Sequence, residues 1–372
     1  MNSSRTAAHH LESARSVVIK VGSSLLTDPV GKLRLDWLRA LSADIAEFRE
    51  DDVRVTMVTS GAVALGRSVL SSKPLTLPEK QAAAAIGQVV LANAWRDALL
   101  VAGLHCAQVL LTPEDTEHRR RHLNARDTLA TLAKRGVVAV INENDTVATE
   151  ELRYGDNDCL AARVAQMIDA DLLVLLSDVD GLYDADPSVD TAANHIASVA
   201  HIDESMIKAA GQSSSGVGTG GMQSKLNAAS IATKAGIPVV VASGLLNAPI
   251  KRLRDHARHT LFQAAAVPGS ARRRWIVAAL RRSAKVRVDS GAMQALNARK
   301  SLLPIGVQSI DGEFQRGDCV AVVCGDQEIG VGLVRVSSEE ALRLSASARS
   351  GMRTDVLMHS DDLVLTTSGH AT

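Results

Sequence analysis

Aromatic residues are nearly missing from this chain of 372 residues: Phe, Trp and Tyr together supply 2%. A core must therefore be packed from Ala, Val, Leu and Ile, and the scarcity argues against a stacking platform for single-stranded nucleic acid in the main body. Net charge is missing as well, because 41 basic residues balance 41 acidic ones. Non-specific nucleic-acid binding by the whole chain is therefore not implied. The four cysteines (Cys106, Cys159, Cys319, Cys324) form no C-x-x-C pair and no zinc pattern with the histidines near them, so buried free thiols are expected. No apolar run approaches the ~18 residues of a membrane span. The first fifteen residues carry two histidines and no apolar signal core. A soluble, cytoplasmic protein is the expectation, with a length that suggests about two or three domains.

What the chain does have is glycine in one dense stretch, Gly216-Val217-Gly218-Thr219-Gly220-Gly221-Met222-Gln223-Ser224-Lys225, leading into a helical pattern marked by Met222, Leu226 and Ala229. Glycines let backbone N–H groups crowd around an anion, and the following helix points its positive end at the same spot. Lys225 adds a cation one turn in. Two familiar templates fit poorly. Gly216, Gly218 and Gly221 satisfy G-x-G-x-x-G, but Gln212-Ser213-Ser214-Ser215 reads as loop where a dinucleotide fingerprint needs a strand. A Walker loop needs Ser or Thr after its lysine, and here Leu226 follows. A flexible linker capping a helix remains the plainer alternative.

Short apolar runs recur along the chain: 17–21, 53–58, 105–111, 137–141, 171–176 and 237–242. Helical patterns separate them. Trp37, Leu41, Ile45 and Phe48 mark one helix, and an Ala-rich helix covers 79–101. Strands that alternate with helices and are apolar throughout imply an α/β fold whose mostly parallel sheet is sandwiched by helices. Polar and glycine clusters follow the strands: Gly22-Ser23-Ser24, Ser60-Gly61-Ala62, Asn142-Glu143-Asn144-Asp145, Ser177-Asp178 and Ser243-Gly244. Ligands of open α/β sheets bind beyond the carboxyl ends of the strands, where these clusters lie. Turn chemistry also enriches such residues there.

Composition changes after about Leu261. From 264 to 288 no acidic residue occurs, while Arg272, Arg273, Arg274, Arg281, Arg282, Lys285 and Arg287 accumulate. The expected organisation is a flexible N-terminus over 1–14, an α/β domain over 15–262, a basic linker over 263–282, a small mostly-β domain over 283–361 and a tail over 362–372. Within the small domain, strands are expected at 286–289, 307–310, 319–324 and 329–336, with a helix at 292–299.

Three charged positions have no packing purpose. Lys20 interrupts an apolar strand, and a buried lysine is costly unless paired. Lys225 opens the helix after the glycine loop. Asp158 closes Gly155-Asp156-Asn157-Asp158 ahead of Leu160, Val164, Met167 and Ile168 at helical spacing. Asp156 or Asn157 suits a helix cap, but three polar residues exceed what a cap needs. Two lysines, a carboxylate to hold them and a glycine-rich helix N-terminus suit phosphoryl transfer. No histidine lies in the strand-end clusters. A carboxylate or phosphate acceptor needs no general base, although an Asp could serve as one for an alcohol.

Val18-Ile19-Lys20-Val21-Gly22-Ser23-Ser24, Val58-Thr59-Ser60-Gly61-Ala62-Val63-Ala64, Ile141-Asn142-Glu143-Asn144-Asp145, Gly155-Asp156-Asn157-Asp158 and Gly218-Thr219-Gly220-Gly221-Met222 resemble, in order and spacing, the motifs of the glutamate 5-kinase family. The resemblance covers about 15–261 and implies the amino acid kinase fold. Residues of about 283–361, including Ser301-Leu302-Leu303-Pro304-Ile305-Gly306-Val307 and Phe314-Gln315-Arg316-Gly317-Asp318, resemble the PUA domain that many bacterial members append. The resemblance implies ATP-dependent phosphorylation of the glutamate side-chain carboxylate, the first step toward proline. It implies that Lys20 and Lys225 stabilise the transferring group and that Asp158 orients them. Ser60, Gly61, Asn142, Asp145 and Asn157 would hold glutamate. Lys20, Ser177, Asp178, Thr219, Gly220, Gly221, Met222, Gln223, Ser224 and Lys225 would contact ATP. Mg2+ would be held by the phosphates and water, with no protein ligand assigned. Feedback inhibition by proline, a homo-oligomer (dimer or tetramer) and a transient partnership with glutamyl-phosphate reductase are also implied. Cys159 and the polar Gln212-Ser213-Ser214-Ser215 lead-in depart modestly from the pattern. The competing expectations are a kinase acting on acetylglutamate or aspartate, an RNA-binding or RNA-modifying protein working through the PUA-like domain, and an amino-acid sensor.

Overall fold

The computed structural model describes residues 6–28, 32–70, 75–147, 157–187, 189–212, 221–264, 284–350 and 355–365. Gly155, Asp156, the glycines from Gly216 to Gly220 and the arginines from Arg272 to Arg282 lie outside them. The chain divides into two compact units, Met1–Pro268 and Gly269–Thr372.

The first unit is built on a sheet of eight strands. In chain order they are β1 (Ser16–Val21), β2 (Arg54–Val58), β3 (Cys106–Leu111), β4 (Val138–Glu143), β5 (Leu172–Ser177), β8 (Ser198–Val199), β9 (Val239–Ser243) and β10 (His259–Phe262). A separate hairpin pairs β6 (Leu182–Tyr183) with β7 (His195–Ile196). The spatial order is β3-β4-β2-β1-β5-β9-β10-β8. Strands β3 to β9 in this order are all parallel, and β10 then runs antiparallel to β9. The chain moves outward from β1 to one side through β2, β3 and β4, then returns to β5 on the other side of β1. That reversal is the switch point at which open parallel sheets place ligands.

Helices of this unit are α1 (Ala7–Ser13), α2 (Ser23–Leu26), α3 (Leu35–Glu50), α4 (Ala62–Leu70), α5 (Leu77–Val101), α6 (Pro113–Glu117), α7 (Arg119–Lys134), α8 (Asn157–Met167), α9 (Glu204–Gln212), α10 (Met222–Lys234) and α11 (Pro249–Arg254). They divide between the two faces of the sheet. One core takes Val17, Ile19 and Val21 of β1 with Trp37, Leu41, Ile45 and Phe48 of α3 and Leu91 and Trp95 of α5. The other takes Val18 with Leu160 and Val164 of α8 and Leu226 and Ala229 of α10. The four apolar positions expected to line the first long helix are all buried. Two helices approach unusually closely. A Cβ on Gly66 of α4 would stand 1.9 Å from the Ala83 carbonyl oxygen, and one on Gly87 of α5 would stand 1.8 Å from that of Ala62. Only glycine permits this backbone contact, which lays α5 against the strand ends.

Asp44 of α3 is buried and accepts a hydrogen bond from the Ile250 amide at 2.9 Å. It thereby caps α11, whose own N-cap, Ala248, has no side-chain acceptor and a left-handed φ of 53°. Burial pushes the Asp44 carboxyl up to about 6, against the opposing pull of the Ile250 and Lys251 amides. A raised acid pKa means that the folded protein holds a proton the unfolded chain releases. Its contribution is present below about pH 4 and is lost as pH rises through about 6, up to roughly 3 kcal/mol. In Asp44→Asn the acceptor survives without the charge, so the variant gains stability over the wild type between pH 4.5 and 7.5. Denaturation midpoints across that range check it; a wild-type-to-variant difference constant with pH contradicts it.

The second unit forms a five-stranded sheet of β11 (Lys285–Val288), β12 (Val307–Asp311), β13 (Cys319–Cys324), β14 (Gln327–Leu333) and β15 (Leu363–Leu365), in the order β12-β11-β13-β14-β15. Helices α12 (Ser290–Asn297) and α13 (Ser338–Arg349) accompany it. Val286, Val288, Val320 and Val322 form its core with Leu296, Phe314 and Met358. Asp289, expected in the first strand, instead starts α12: its carboxylate accepts from the Ala292 amide at 2.6 Å, an N-cap that ends the strand one residue early. The Phe314–Asp318 motif is a turn, in which Asp318 accepts from the Gln315 amide at 2.7 Å and Gly317 takes φ 91°. The four cysteines are free, but only Cys319 is fully buried; Cys106, Cys159 and Cys324 are partly exposed. Among the described residues no helix is long and apolar enough to cross a membrane.

Candidate active site

The period of two along β1 assigns Lys20 to the same face as Val18. That face is roofed by α8 and α10, and both helices begin beside the carboxyl end of β1. Asp158 lies in the first turn of α8 and Lys225 in the first turn of α10. The three side chains meet. Lys20 Nζ stands 2.5 Å from Asp158 Oδ1, and Lys225 Nζ stands 3.4 Å from Asp158 Oδ2. Ser224 Oγ also donates to Oδ2, at 3.3 Å. Lys20, Asp158 and Lys225 are 5%, 0% and 4% exposed, so little water screens them.

Burial alone would raise the Asp158 pKa, but Lys20 and then Lys225 outweigh it and hold the carboxyl below its ordinary range. Asp158 is therefore an anion at neutral pH, and this stabilisation is lost only as pH falls through its lowered folded value. Among the described ion pairs of this cluster, two lysines share one carboxylate. The N-terminal ends of α8 and α10 add partial positive charge. Such a place is built to receive a second anion. Gly22 borders the cluster: a Cβ there would lie 4.0 Å from Lys20 Nζ, in ordinary contact.

Beside this cluster, at the ends of β2 and β4, lies a group of amides. Asn142, next to last in β4, and Asn157, first in α8, are both buried. Asn157 Nδ2 donates to Asn142 Oδ1 at 2.6 Å and to the Thr59 carbonyl. Ser60 Oγ donates to the Val21 carbonyl at 3.1 Å, which ties the end of β2 to the end of β1. Gly61 follows with φ 99°, a conformation that favours glycine, and its carbonyl starts α4. Asp145 is half-buried in the turn after β4. Two residues that hold this group in place, Gln88 and Trp95, carry no signal in the sequence, and Thr59 lies in the 58–64 motif with no role assigned to it.

On the other side of β1, Ser177 ends β5 with its Oγ donating to Asp178 Oδ1 at 2.9 Å, while Asp178 itself is exposed. Gly221 is the N-cap of α10 and offers its carbonyl to the Ser224 amide at 3.1 Å. Met222 is half-buried, Gln223 exposed and Ser224 buried. Thr219 and Gly220 lie outside the described residues. Among the described residues no group of three or more His, Cys, Asp or Glu side chains could hold a metal ion. Asp158 is committed to two lysines, so the donor set fits an anion rather than a protein-held cation.

The amino acid kinase family profile matches residues 15–243, and the PUA domain profile matches 284–349. The chain is 49% identical over 368 residues to the glutamate 5-kinase of Nitrobacter winogradskyi, covering 96% of this chain and 97% of that protein. It is 47% identical over 371 residues to the glutamate 5-kinase of Gluconobacter oxydans, covering 96% and 98%. To the glutamate 5-kinase of Rhodopseudomonas palustris it is 47% identical over 377 residues, covering 97% and 99%. With its lysine–aspartate–lysine cluster at the switch point of a mostly parallel sheet and a PUA domain after it, the chain belongs to the amino acid kinase family and, within it, to the glutamate 5-kinases.

Proposed function

We propose that the protein transfers the γ-phosphoryl group of ATP to the side-chain carboxylate of L-glutamate, giving L-glutamyl 5-phosphate and ADP. The observation that carries this reading is Asp158 holding both Lys20 and Lys225, buried, beside the carboxyl end of β1. A glutamate carboxylate, with a reference pKa of about 4.3, is already ionised at neutral pH and attacks phosphorus without a base. One of its oxygens forms the new P–O bond while the bond from the γ-phosphorus to the bridging oxygen breaks, and that oxygen leaves on ADP with the electron pair. Lys20 and Lys225 offset the charge on the phosphoryl oxygens, and Asp158 keeps the two ammonium groups from drifting apart. Ser60, Gly61, Asn142, Asp145 and Asn157 hold the amino acid. Ser177, Asp178 and the loop Thr219, Gly220, Gly221, Met222, Gln223, Ser224 hold the nucleotide. Mg2+, held by the phosphates and water with no protein ligand assigned, would supply partial neutralisation of the phosphate charge.

The reading carries further expectations: the product feeds a reductase acting on the acyl phosphate on the route to proline, proline inhibits, the protein is cytoplasmic, and the chain assembles as a homo-oligomer. The test is hydroxylamine capture. Glutamate- and Mg2+-dependent formation of γ-glutamyl hydroxamate, matched by ADP release, is expected. Release of ADP driven instead by acetylglutamate or aspartate in a substrate panel overturns the substrate.

A further inference from the structure

The amides beside the lysine cluster form one hydrogen-bonded chain, and both its ends are backbone groups. At one end the Glu143 amide donates to Asn142 Oδ1 at 3.0 Å. At the other the Thr59 carbonyl accepts from Asn157 Nδ2. A backbone N–H can only donate and a backbone carbonyl can only accept, so neither asparagine is free to flip. Asn142 must turn its oxygen to Glu143 and to Asn157 Nδ2, the latter at 2.6 Å. Its nitrogen then needs an acceptor, and Gln88 Oε1 supplies one at 2.7 Å. Asn157 must turn its nitrogen to Thr59 and Asn142, which directs its oxygen away from both.

Gln88 comes from α5, a helix otherwise rich in alanine. It shares a face with Leu91 and Trp95, at i+3 and i+7, and both of these are fully buried. Trp95 extends the same support by donating from Nε1 to Thr59 Oγ1 at 3.1 Å. The α5 helix thus grips both ends of the chain, and the Gly66–Gly87 contact fixes where the helix lies. Glutamate carries two carboxylates and one ammonium, so an amide oxygen fixed in its site can be complemented only by the ammonium.

Building on the proposed glutamate kinase reading, we propose that Gln88 is a positioning residue for the amino acid substrate. Its side-chain oxygen locks Asn142, and through Asn142 it locks Asn157, so that the pair meets the amino acid already oriented. Without that acceptor, the Asn142 nitrogen is a buried donor lacking its partner, and the pair gains freedom that substrate binding must remove. The nucleotide contacts lie on the other side of β1 and are untouched.

The experiment compares Gln88→Leu with Gln88→Glu in steady-state kinetics of the full chain. Gln88→Leu is expected to raise KM for the amino acid about tenfold, with KM for ATP unchanged and kcat within about threefold. Gln88→Glu keeps an acceptor oxygen and is expected to return KM to within about threefold of wild type. Equal KM shifts in the two variants overturn the proposal. So does a joint change in both KM values and kcat with a lowered unfolding midpoint, which marks a merely structural role. The comparison is run with whichever amino acid the wild type phosphorylates. A wild type that ignores glutamate and accepts another amino acid overturns the substrate reading, while the Leu-to-Glu contrast still decides the role of Gln88.

Discussion

Lys225→Met lowers glutamate-dependent ADP release by about 10²–10³-fold, the loss expected when one preorganised charge is withdrawn from a buried transition-state site. It does so without unfolding the protein. Lys225 stands at 3.4 Å from Asp158, whereas Lys20 stands at 2.5 Å from the other oxygen, so the carboxylate keeps its closer partner. Removing Lys225 leaves the Lys20–Asp158 ion pair in place, a paired state that is cheaper to bury than a stranded charge. Methionine preserves the apolar stem of the lysine within the first turn of α10. Activity by hydroxamate capture, read beside the unfolding midpoint of the same preparation, separates the two effects. Near-normal turnover contradicts the role given to Lys225.

Asp158→Asn behaves in the opposite way. It takes from Lys20 and Lys225, both at most 5% exposed, the one carboxylate that both contact. Breaking a buried ion pair from one side costs about 3–5 kcal/mol, so stability and activity fall together. Adding Lys225→Met to Asp158→Asn relieves one of the two stranded charges. The double variant is therefore more stable than Asp158→Asn alone and still inactive, a coupling that a denaturation cycle over the four proteins reads directly. An Asp158→Asn protein as stable as wild type contradicts the account, because it means that the lysines do not depend on that carboxylate.

Much of the site is legible in the sequence because its residues break the local rule. Lys20 stands out as a cation in a run of β-branched residues, and the structure explains its survival there by the pairing with Asp158. The polar triplet at the start of α8 and the glycines before α10 likewise exceed what caps and turns require. Gln88, Thr59 and Trp95 break no rule. A glutamine in an alanine-rich helix looks the same whether it faces water or an asparagine, and only the glycine contact between α4 and α5 decides which. The strands β6, β7, β8 and β10 were equally silent, since elements of two to four residues show no period. The loss of one residue at the end of β11 to the α12 cap has a different cause: the Asp289 carboxylate accepts from the Ala292 amide and starts the helix instead of continuing the strand.

The central claim is that a carboxylate, unassisted by a base, takes the phosphoryl group at the Lys20–Asp158–Lys225 cluster. Glutamate labelled with oxygen-18 in its side-chain carboxylate tests it most directly. The attacking oxygen becomes the bridge of the acyl phosphate, and hydroxylamine, adding at the carbonyl carbon, expels that bridge with the phosphate. Mass spectrometry of the inorganic phosphate released from the captured product should find one labelled oxygen per phosphate with the wild type. No labelled phosphate above background should form with Lys225→Met over the same interval. Unlabelled phosphate released in step with glutamate-dependent ADP formation would contradict the account, because the phosphoryl group would then have gone to water or to another acceptor.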